Sequence, residues 1–272
     1  KSTTIAMLST LLRPTSGDVT LGGRSVVDAP GPLRQILGVV PQEIALYPEL
    51  TAAENLAFFG ALYGLRGRAL HDAIDGALGL VGLSDRRNEQ VKKYSGGMKR
   101  RINIAAALLH DPKIVIMDEP TVGVDPQSRN HILESVRELN RSRGMTVLYT
   151  SHYMEEVEQL CDRIYVMDHG RVIASGTKNE IKDLLSAETT VVLSVDGPTA
   201  ELEVALQALE PVQSVTRDRD GSLKIIAATD KDLLAQVMRE AEAAGTSVTG
   251  LSLERPSLED VFLHLTGRTL RD

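Results

Sequence analysis

The sequence predicts an α/β chain: a parallel-sheet domain interrupted by a helical insert, followed by a small α+β domain. Three observations predict it. Ile114 to Met117 is an unbroken apolar run that ends in the carboxylate pair Asp118-Glu119. A run this short and this apolar reads as a strand buried on both faces of a parallel sheet. Similar runs at Ile36 to Val40 and Met145 to Tyr149 alternate with helical patterns, as strands joined by crossover helices do. From near Ser186 the pattern changes, and strands and helices follow in the order β-α-β-β-α-β.

Taken from the start, Ile5, Leu8, Leu11 and Leu12 follow Lys1-Ser2-Thr3-Thr4 at helical spacing, and the turn Arg13 to Gly17 ends that helix. Asp18 to Leu21 and the residues after Gly22-Gly23 suggest a hairpin. Pro41 ends the Ile36 strand, with Gln42 just beyond it. Thr51-x-x-Glu54 is a capping box opening a helix through Asn55 to Phe59, because hydroxyl and carboxylate satisfy the free N–H groups of a first turn. Helical patterns continue to about Leu109, so residues from about 51 to 110 form the insert. Tyr47, Phe58, Phe59 and Tyr63 are expected mainly in its core, with some of them in a surface groove where a partner docks.

After Asp125, Pro126 stands at a first helical position, and Ile132, Leu133, Val136 and Leu139 mark that helix's buried face. The strand Met145 to Tyr149 leads into Thr150-Ser151-His152. A helix through Met154, Val157 and Leu160 carries the lone cysteine, Cys161, on its apolar face. A hairpin from Arg163 to Ala174 and a short helix capped by Thr177-x-x-Glu180 come next. Strands are expected at Thr190 to Val195, Val212 to Arg217, Leu223 to Ala227 and Val248 to Leu253. Helices are expected at Ala200 to Leu209, Asp230 to Ala243 and after Ser257-x-x-Asp260. That order resembles a ferredoxin-like small domain, which by itself assigns no function.

The 272 residues are 42% hydrophobic and 25% charged, ordinary values for a globular chain. A net charge of -7 offers no basic field for nucleic acid or anionic lipid. Cys161 is expected in the core, in a reducing cytoplasmic setting. No apolar run reaches the ~18 residues of a spanning helix, so a membrane role would come through a partner.

Chemistry concentrates around the Ile114 strand. Asp118-Glu119 stands at its carboxyl end, where open α/β sheets bind ligands. One carboxylate can hold a metal while the next orients or deprotonates a water beside a nucleotide phosphate. A bare Asp-Glu pair also serves as a charged strand cap. Here Ser95-Gly96-Gly97 precedes it by one helix and Val122-Gly123-Val124-Asp125 follows, which is more specific. Ser-Gly-Gly at a helix start lets bare N–H groups approach a phosphate, or is an N-cap with two turn glycines. Lys99, Arg100 and Arg101 read as a basic patch beside that segment or as a solvated face. Lys1-Ser2 matches the last two residues of Gly-x-x-x-x-Gly-Lys-[Ser/Thr], whose backbone cradles phosphates.

In this order, from Lys1 to about Lys182, the motifs resemble the nucleotide-binding subunit of an ATP-binding cassette (ABC) transporter. Lys1-Ser2-Thr3 resembles the end of Walker A, Gln42 the Q-loop and Ser95-Gly96-Gly97 the family signature. Asp118 closes Walker B with Glu119 as its catalytic acid, Asp125 resembles the D-loop aspartate and His152 the switch histidine. Tyr94 and Met98 depart from the usual Leu and Gln of the signature. That form, with the ending Ser257 to Phe262, is similar to drug exporters of the daunorubicin type and their lipid- and polysaccharide-exporting relatives.

The resemblance implies a P-loop NTPase (RecA-like) core over residues 1–186 and an accessory α+β domain over 187–272. It also implies a chain beginning inside Walker A, with the first strand, the glycine loop and the adenine-stacking aromatic outside it, and hence weak ATP binding by residues 1–272 alone. Lys1 would touch the β/γ-phosphates, with Ser2 and Thr3 beside it. Ser2, Gln42 and Asp118 would serve Mg²⁺, Asp118 through water. Glu119 would polarise the attacking water, with Gln42 and His152 on the γ-phosphate or that water. Asp125 would cap its helix and face a second protomer. The implied partners are a polytopic permease at the inner face of the cell membrane and a second copy joined in the presence of ATP. An importer ATPase, a non-transport cassette ATPase and a nucleotide-sensing module stand as alternatives.

Overall fold

The computed structural model describes residues 1–185, 188–197, 199–218, 221–228, 232–254 and 257–266. Its contacts divide the chain into two units, Lys1–Cys161 and Asp162–Asp272. The boundary expected at 186/187 falls on residues outside the described ones.

The first unit opens with α1 (Ser2–Leu8), the hairpin β1 (Thr20–Leu21) and β2 (Arg24–Ser25), and α2 (Gly31–Ile36). Then come β3 (Leu37–Val40), α3 (Ala52–Leu62), α4 (Gly67–Leu80) and α5 (Gly96–Leu108). It closes with β4 (Ile114–Asp118), α6 (Pro126–Arg143), β5 (Thr146–Thr150) and α7 (Met154–Leu160). Strands β3, β4 and β5 form a parallel sheet in that order. The middle strand is buried on both faces, as its composition implied. Ile116 packs with Ile5, Leu33 and Leu37 on one side. Val115 and Met117 pack with Ile104, Leu108, Ile132 and Val136 on the other. Burying such side chains supplies about 1.5–3 kcal/mol each, which fixes the height of the strand end that bears Asp118 and Glu119.

The insert consists of α3, α4 and α5 around Leu56, Ile74, Leu78 and Ile102. The Thr51 capping box is present in both directions, the Glu54 carboxylate accepting the Thr51 N–H at 2.8 Å and the Thr51 hydroxyl accepting the Glu54 N–H at 3.2 Å. Four expectations change. The helix α2 occupies the approach to β3, because Gly31-Pro32 opens a turn of helix that Ile36 ends. The β5 strand is an edge of this sheet, not a buried strand, and Leu148 is exposed. The buried residue of α7 is Glu156, while Cys161 lies just past the last turn and is only half-buried. Tyr47, Phe58 and Tyr63 are exposed as well, and only Phe59 packs into the insert's core.

The second unit contains the hairpin β6 (Arg163–Asp168) and β7 (Arg171–Thr177), then α8 (Lys178–Lys182). It continues with β8 (Glu188–Asp196), α9 (Ala200–Gln207), β9 (Val212–Arg217), β10 (Leu223–Ala228), α10 (Leu233–Ala243), β11 (Ser247–Glu254) and α11 (Leu258–Thr266). The last four strands form an antiparallel sheet in the order β11-β8-β10-β9. That is the strand order of a split β-α-β sheet. Leu202 and Leu206 of α9 and Leu233 and Val237 of α10 cover the face carrying Val191, Leu193, Leu223 and Ile225. Lys224 alternates with those residues and pairs with Asp260 of α11 at 3.0 Å. The helix start expected at Asp230 lies outside the described residues. Among the described residues no helix is long and apolar enough to cross a membrane.

Candidate active site

Parallel register assembles the site. Val40 is aligned with Met117 and Asp118 with Thr150, so Gln42, Glu119 and His152 leave the sheet at one edge. The α1 helix packs on β4 through Ile5 and Ile116, and its first residues meet the same edge. There the Glu119 carboxylate gathers three groups. Lys1 Nζ lies 3.2 Å from Oε1, Gln42 Nε2 donates to Oε2 at 3.4 Å, and His152 Nδ1 lies 3.4 Å from Oε2. The Glu119 side chain is 18% exposed, wet enough to meet a water and enclosed enough to be held.

The backbone at Glu119 is itself unusual, with φ at +46°. A non-glycine residue in the left-handed region costs on the order of 1–3 kcal/mol and persists only where its surroundings enforce it. Thr150 enforces it. Its Oγ1 accepts the Glu119 N–H at 3.0 Å and its hydroxyl donates to Asp118 Oδ1 at 2.8 Å. One threonine thereby sets the rotamer of the first carboxylate and the backbone of the second.

Ser95, Gly96, Gly97 and Asp125 form a second group. Ser95 caps α5, its hydroxyl accepting the Met98 N–H at 3.2 Å. Gly96 is open to solvent, with nothing near the position a Cβ would take. Gly97 is buried against the start of α6, where a Cβ would collide with Ser128 and stand 2.9 Å from Asp125 Oδ2. Asp125 caps α6 by accepting the Ser128 N–H at 2.9 Å, and that bond holds its carboxyl below the usual range. Ser2 and Thr3 are exposed on the first turn of α1.

Residues 1–122 match the family described as "ABC transporter", and residues 176–266 match the "ATP-binding protein DrrA1-3-like, C-terminal domain". The whole chain is 50% identical to the linearmycin resistance ATP-binding protein LnrL of Bacillus subtilis, across 88% of that protein. The chain belongs to the ABC transporter family. The daunorubicin resistance ATP-binding protein DrrA3 of Streptomyces coeruleorubidus is 41% identical over 98% of this chain and 84% of its own length. Among solved structures, a dimeric ATP-binding cassette in a post-hydrolysis state with ADP and Pi superposes with a TM-score of 0.58. It is 26% identical and aligns over 65% of this chain and 79% of that one. The fold of the ABC subunit is therefore that of P-loop NTPases, and its activity is the binding and hydrolysis of ATP.

Within this ABC ATPase three residues around the site were not visible as such in the sequence. Arg100 is buried rather than part of a solvated patch. Its Nη1 donates to the Pro41 carbonyl at 2.8 Å and its Nη2 to the Gln42 carbonyl. Asn103, one turn on, accepts the Ala45 N–H at 3.3 Å. Helix α5 therefore holds the backbone of the segment Pro41 to Ala45 at both ends. The signal was present in spacing: Gly97, Arg100 and Ile104 share one face of α5, and Gly97 and Ile104 are buried. Thr150 is the third, and only its register opposite Asp118 identifies it. Arg101 donates to the Val81 carbonyl at 3.1 Å and serves the insert.

Proposed function

We propose that this subunit powers export of a drug, lipid or polysaccharide class compound through a separate membrane permease, from the cytoplasmic face of that membrane. The observation that carries the reading is the Glu119 carboxylate, held on a strained backbone and shared by Lys1, Gln42 and His152. In this reading Glu119 accepts a proton from the attacking water, Gln42 and His152 align that water against the γ-phosphate, and Lys1 serves the phosphates. The resistance proteins among the relatives and the Met98 form of the signature favour export over import.

The residues fit Mg²⁺. Among the described residues no three His, Cys, Asp or Glu side chains are placed to hold a metal by themselves. Mg²⁺ needs no such cage, since it takes one or two carboxylates with hydroxyl, water and phosphate oxygens. Asp118 has one oxygen engaged by Thr150, and with Ser2 and Gln42 it offers the hard donors this ion prefers. When bound, the ion would offset charge on the phosphates.

The hydrogen bonds of Ser95 stay within its own helix and Gly96 is open, which supports a signature that serves the nucleotide of a second copy. Asp125, packed beside Gly97, would stand at that seam, with dimerisation linked to ATP. The exposed rings of Tyr47 and Phe58, 4.9 Å apart, suit a permease contact. Nucleotide chemistry would belong to residues 1–186, with 187–272 as an accessory domain.

Glu119→Gln tests the central role. The amide keeps the shape but cannot accept the proton, and loss of a general base costs about 10²–10⁴ in rate. ATP binding should persist. Phosphate release at the wild-type rate would overturn the assignment.

A further inference from the structure

Helix α7 carries a buried carboxylate, Glu156, that no motif read in the sequence includes. Glu156 is 2% exposed, and a carboxylate at that depth is costly unless fully partnered. Its partners come from three separate segments. Thr121, two residues past Glu119, donates its hydroxyl to Oε1 at 2.7 Å. Ser151, next to His152, donates its hydroxyl to Oε2 at 2.8 Å, and the Tyr149 hydroxyl donates to the same oxygen at 2.9 Å. Arg129 of α6 stands 3.5 Å from Oε1. Three hydroxyl donors and a guanidinium all require an acceptor, so Glu156 works as the carboxylate.

Each contact leads to the catalytic pair. Ser151 Oγ also accepts the Tyr153 N–H at 2.9 Å, which closes the turn bearing His152. The Arg129 guanidinium lies 4.3 Å above the Tyr153 ring, and that ring lies 4.2 Å from the His152 imidazole. On the other oxygen, Thr121 ends the short loop that begins at Glu119, and the Val122 N–H returns to the Glu119 carbonyl at 3.3 Å. The Tyr149 hydroxyl stays protonated, pushed up by burial and by the charge of Glu156.

We propose that Glu156 is a positioning residue of the ATPase, holding the Glu119 loop and the His152 turn at the spacing hydrolysis requires. The proposal rests on the roles given above to Glu119 and His152. It assigns Glu156 no contact with substrate, so its removal should slow turnover while leaving nucleotide affinity in place.

The test is steady-state and single-turnover hydrolysis by the full-length ATPase carrying Glu156→Gln, alone and with His152→Ala. Small misplacements of catalytic groups are costly, so kcat should fall about ten-fold or more. KM for ATP should stay within about two-fold, as for a group that acts only in the transition state. In the His152→Ala background the added loss should be smaller, because the part carried by the His152 turn is already gone while the part carried by the Glu119 loop remains. An unchanged kcat would reduce Glu156 to a fold-stabilising group, and an equal loss in both backgrounds would remove the link to the His152 turn; either result overturns the proposal as stated. If Glu156→Gln does not fold, Ser151→Ala cuts only the link to the His152 turn. It should lower kcat about three-fold or more, only while His152 is present, and a wild-type rate would overturn the proposal. Glu119→Gln run alongside separates the two levels. If it retains full rate, the catalytic reading fails. If it loses rate while Glu156→Gln does not, only the present inference fails.

Discussion

Gly96 and Gly97 stand side by side at the start of α5, yet their surroundings give them opposite tolerances. A methyl group on Gly97 would collide with the Ser128 hydroxyl and Cβ and come 2.9 Å from Asp125 Oδ2. All three atoms belong to the capping turn of α6, anchored by the 2.9 Å bond from the Ser128 N–H. Overpacking a filled site costs about 1–3 kcal/mol, and loosening an Asp cap about 0.5–2 kcal/mol. Gly97→Ala should therefore lose about 2–4 kcal/mol, a large part of the net stability of an ordinary domain. Gly96→Ala meets nothing within 4 Å and its φ is not left-handed, so it should lie within about 0.5 kcal/mol of wild type or slightly above it. Urea denaturation of the two variants measures the difference. Ser128→Gly clears part of the collision, and in the Gly97→Ala background it should recover about 1 kcal/mol relative to its effect alone. Equal stability of the two alanine variants would refute the packing argument. The same geometry makes Gly96→Asp, not Gly97→Asp, the substitution for asking whether the signature serves a nucleotide held by the second copy.

Arg100→Lys keeps the charge but cannot hold both the Pro41 and Gln42 carbonyls. It should cost about 1–3 kcal/mol and lower kcat more than ATP affinity, which denaturation and hydrolysis assays check together. His110 Nε2 must donate to the Leu37 carbonyl at 3.1 Å, while its Nδ1 is buried without a partner. Burial, above all, holds its pKa below the usual 6.5. Protonation therefore favours the unfolded chain, and the stability His110 contributes is complete above pH 6.5 and is lost as pH falls below it. Urea midpoints between pH 7 and pH 5 should decline in the wild type and decline less in His110→Gln; parallel curves would remove His110 as the cause.

What the sequence could and could not reveal divides along physical lines. The Ile114 strand was legible because burial on both faces demands an unbroken apolar run. The Thr51 and Thr177 capping boxes were legible because their hydrogen bonds are local. Glu119 and His152 were legible as members of motifs. Their meeting 3.4 Å apart was not, because it depends on a register between β4 and β5 that no local pattern encodes. Arg100, read beside Lys99 and Arg101 as surface charge, shows the same limit. A buried arginine looks like an exposed one until its carbonyl partners, 58 and 59 positions away, are known. The α7 helix misled for a related reason. Its Met154 and Val157 looked like the inward face, but the hydroxyls of Thr121, Tyr149 and Ser151 draw Glu156 inward instead.

The helix α5 joins the two groups of site residues, and its rigidity gives that link consequences. Ser95 caps its first turn, Gly97 seats it on the Asp125 turn, and Arg100 and Asn103 hold the chain from Pro41 to Ala45. Ile104 and Leu108 then bury it against Val115 and Met117 of the central strand. From Gly97 to Asn103 the rise is about 9 Å at ~1.5 Å per residue, and every intervening backbone bond resists stretching. A displacement imposed at Ser95 cannot be absorbed along the way. Either the Arg100 and Asn103 bonds break, at about 1–3 kcal/mol for each buried group left unpaired, or Gln42 moves with the helix. The second course is cheaper wherever the Pro41 to Ala45 backbone can follow. Gln42 donates to Glu119 from that same segment. A shift of the first turn of α5 would thus be passed toward Glu119 through one helix and two carbonyls.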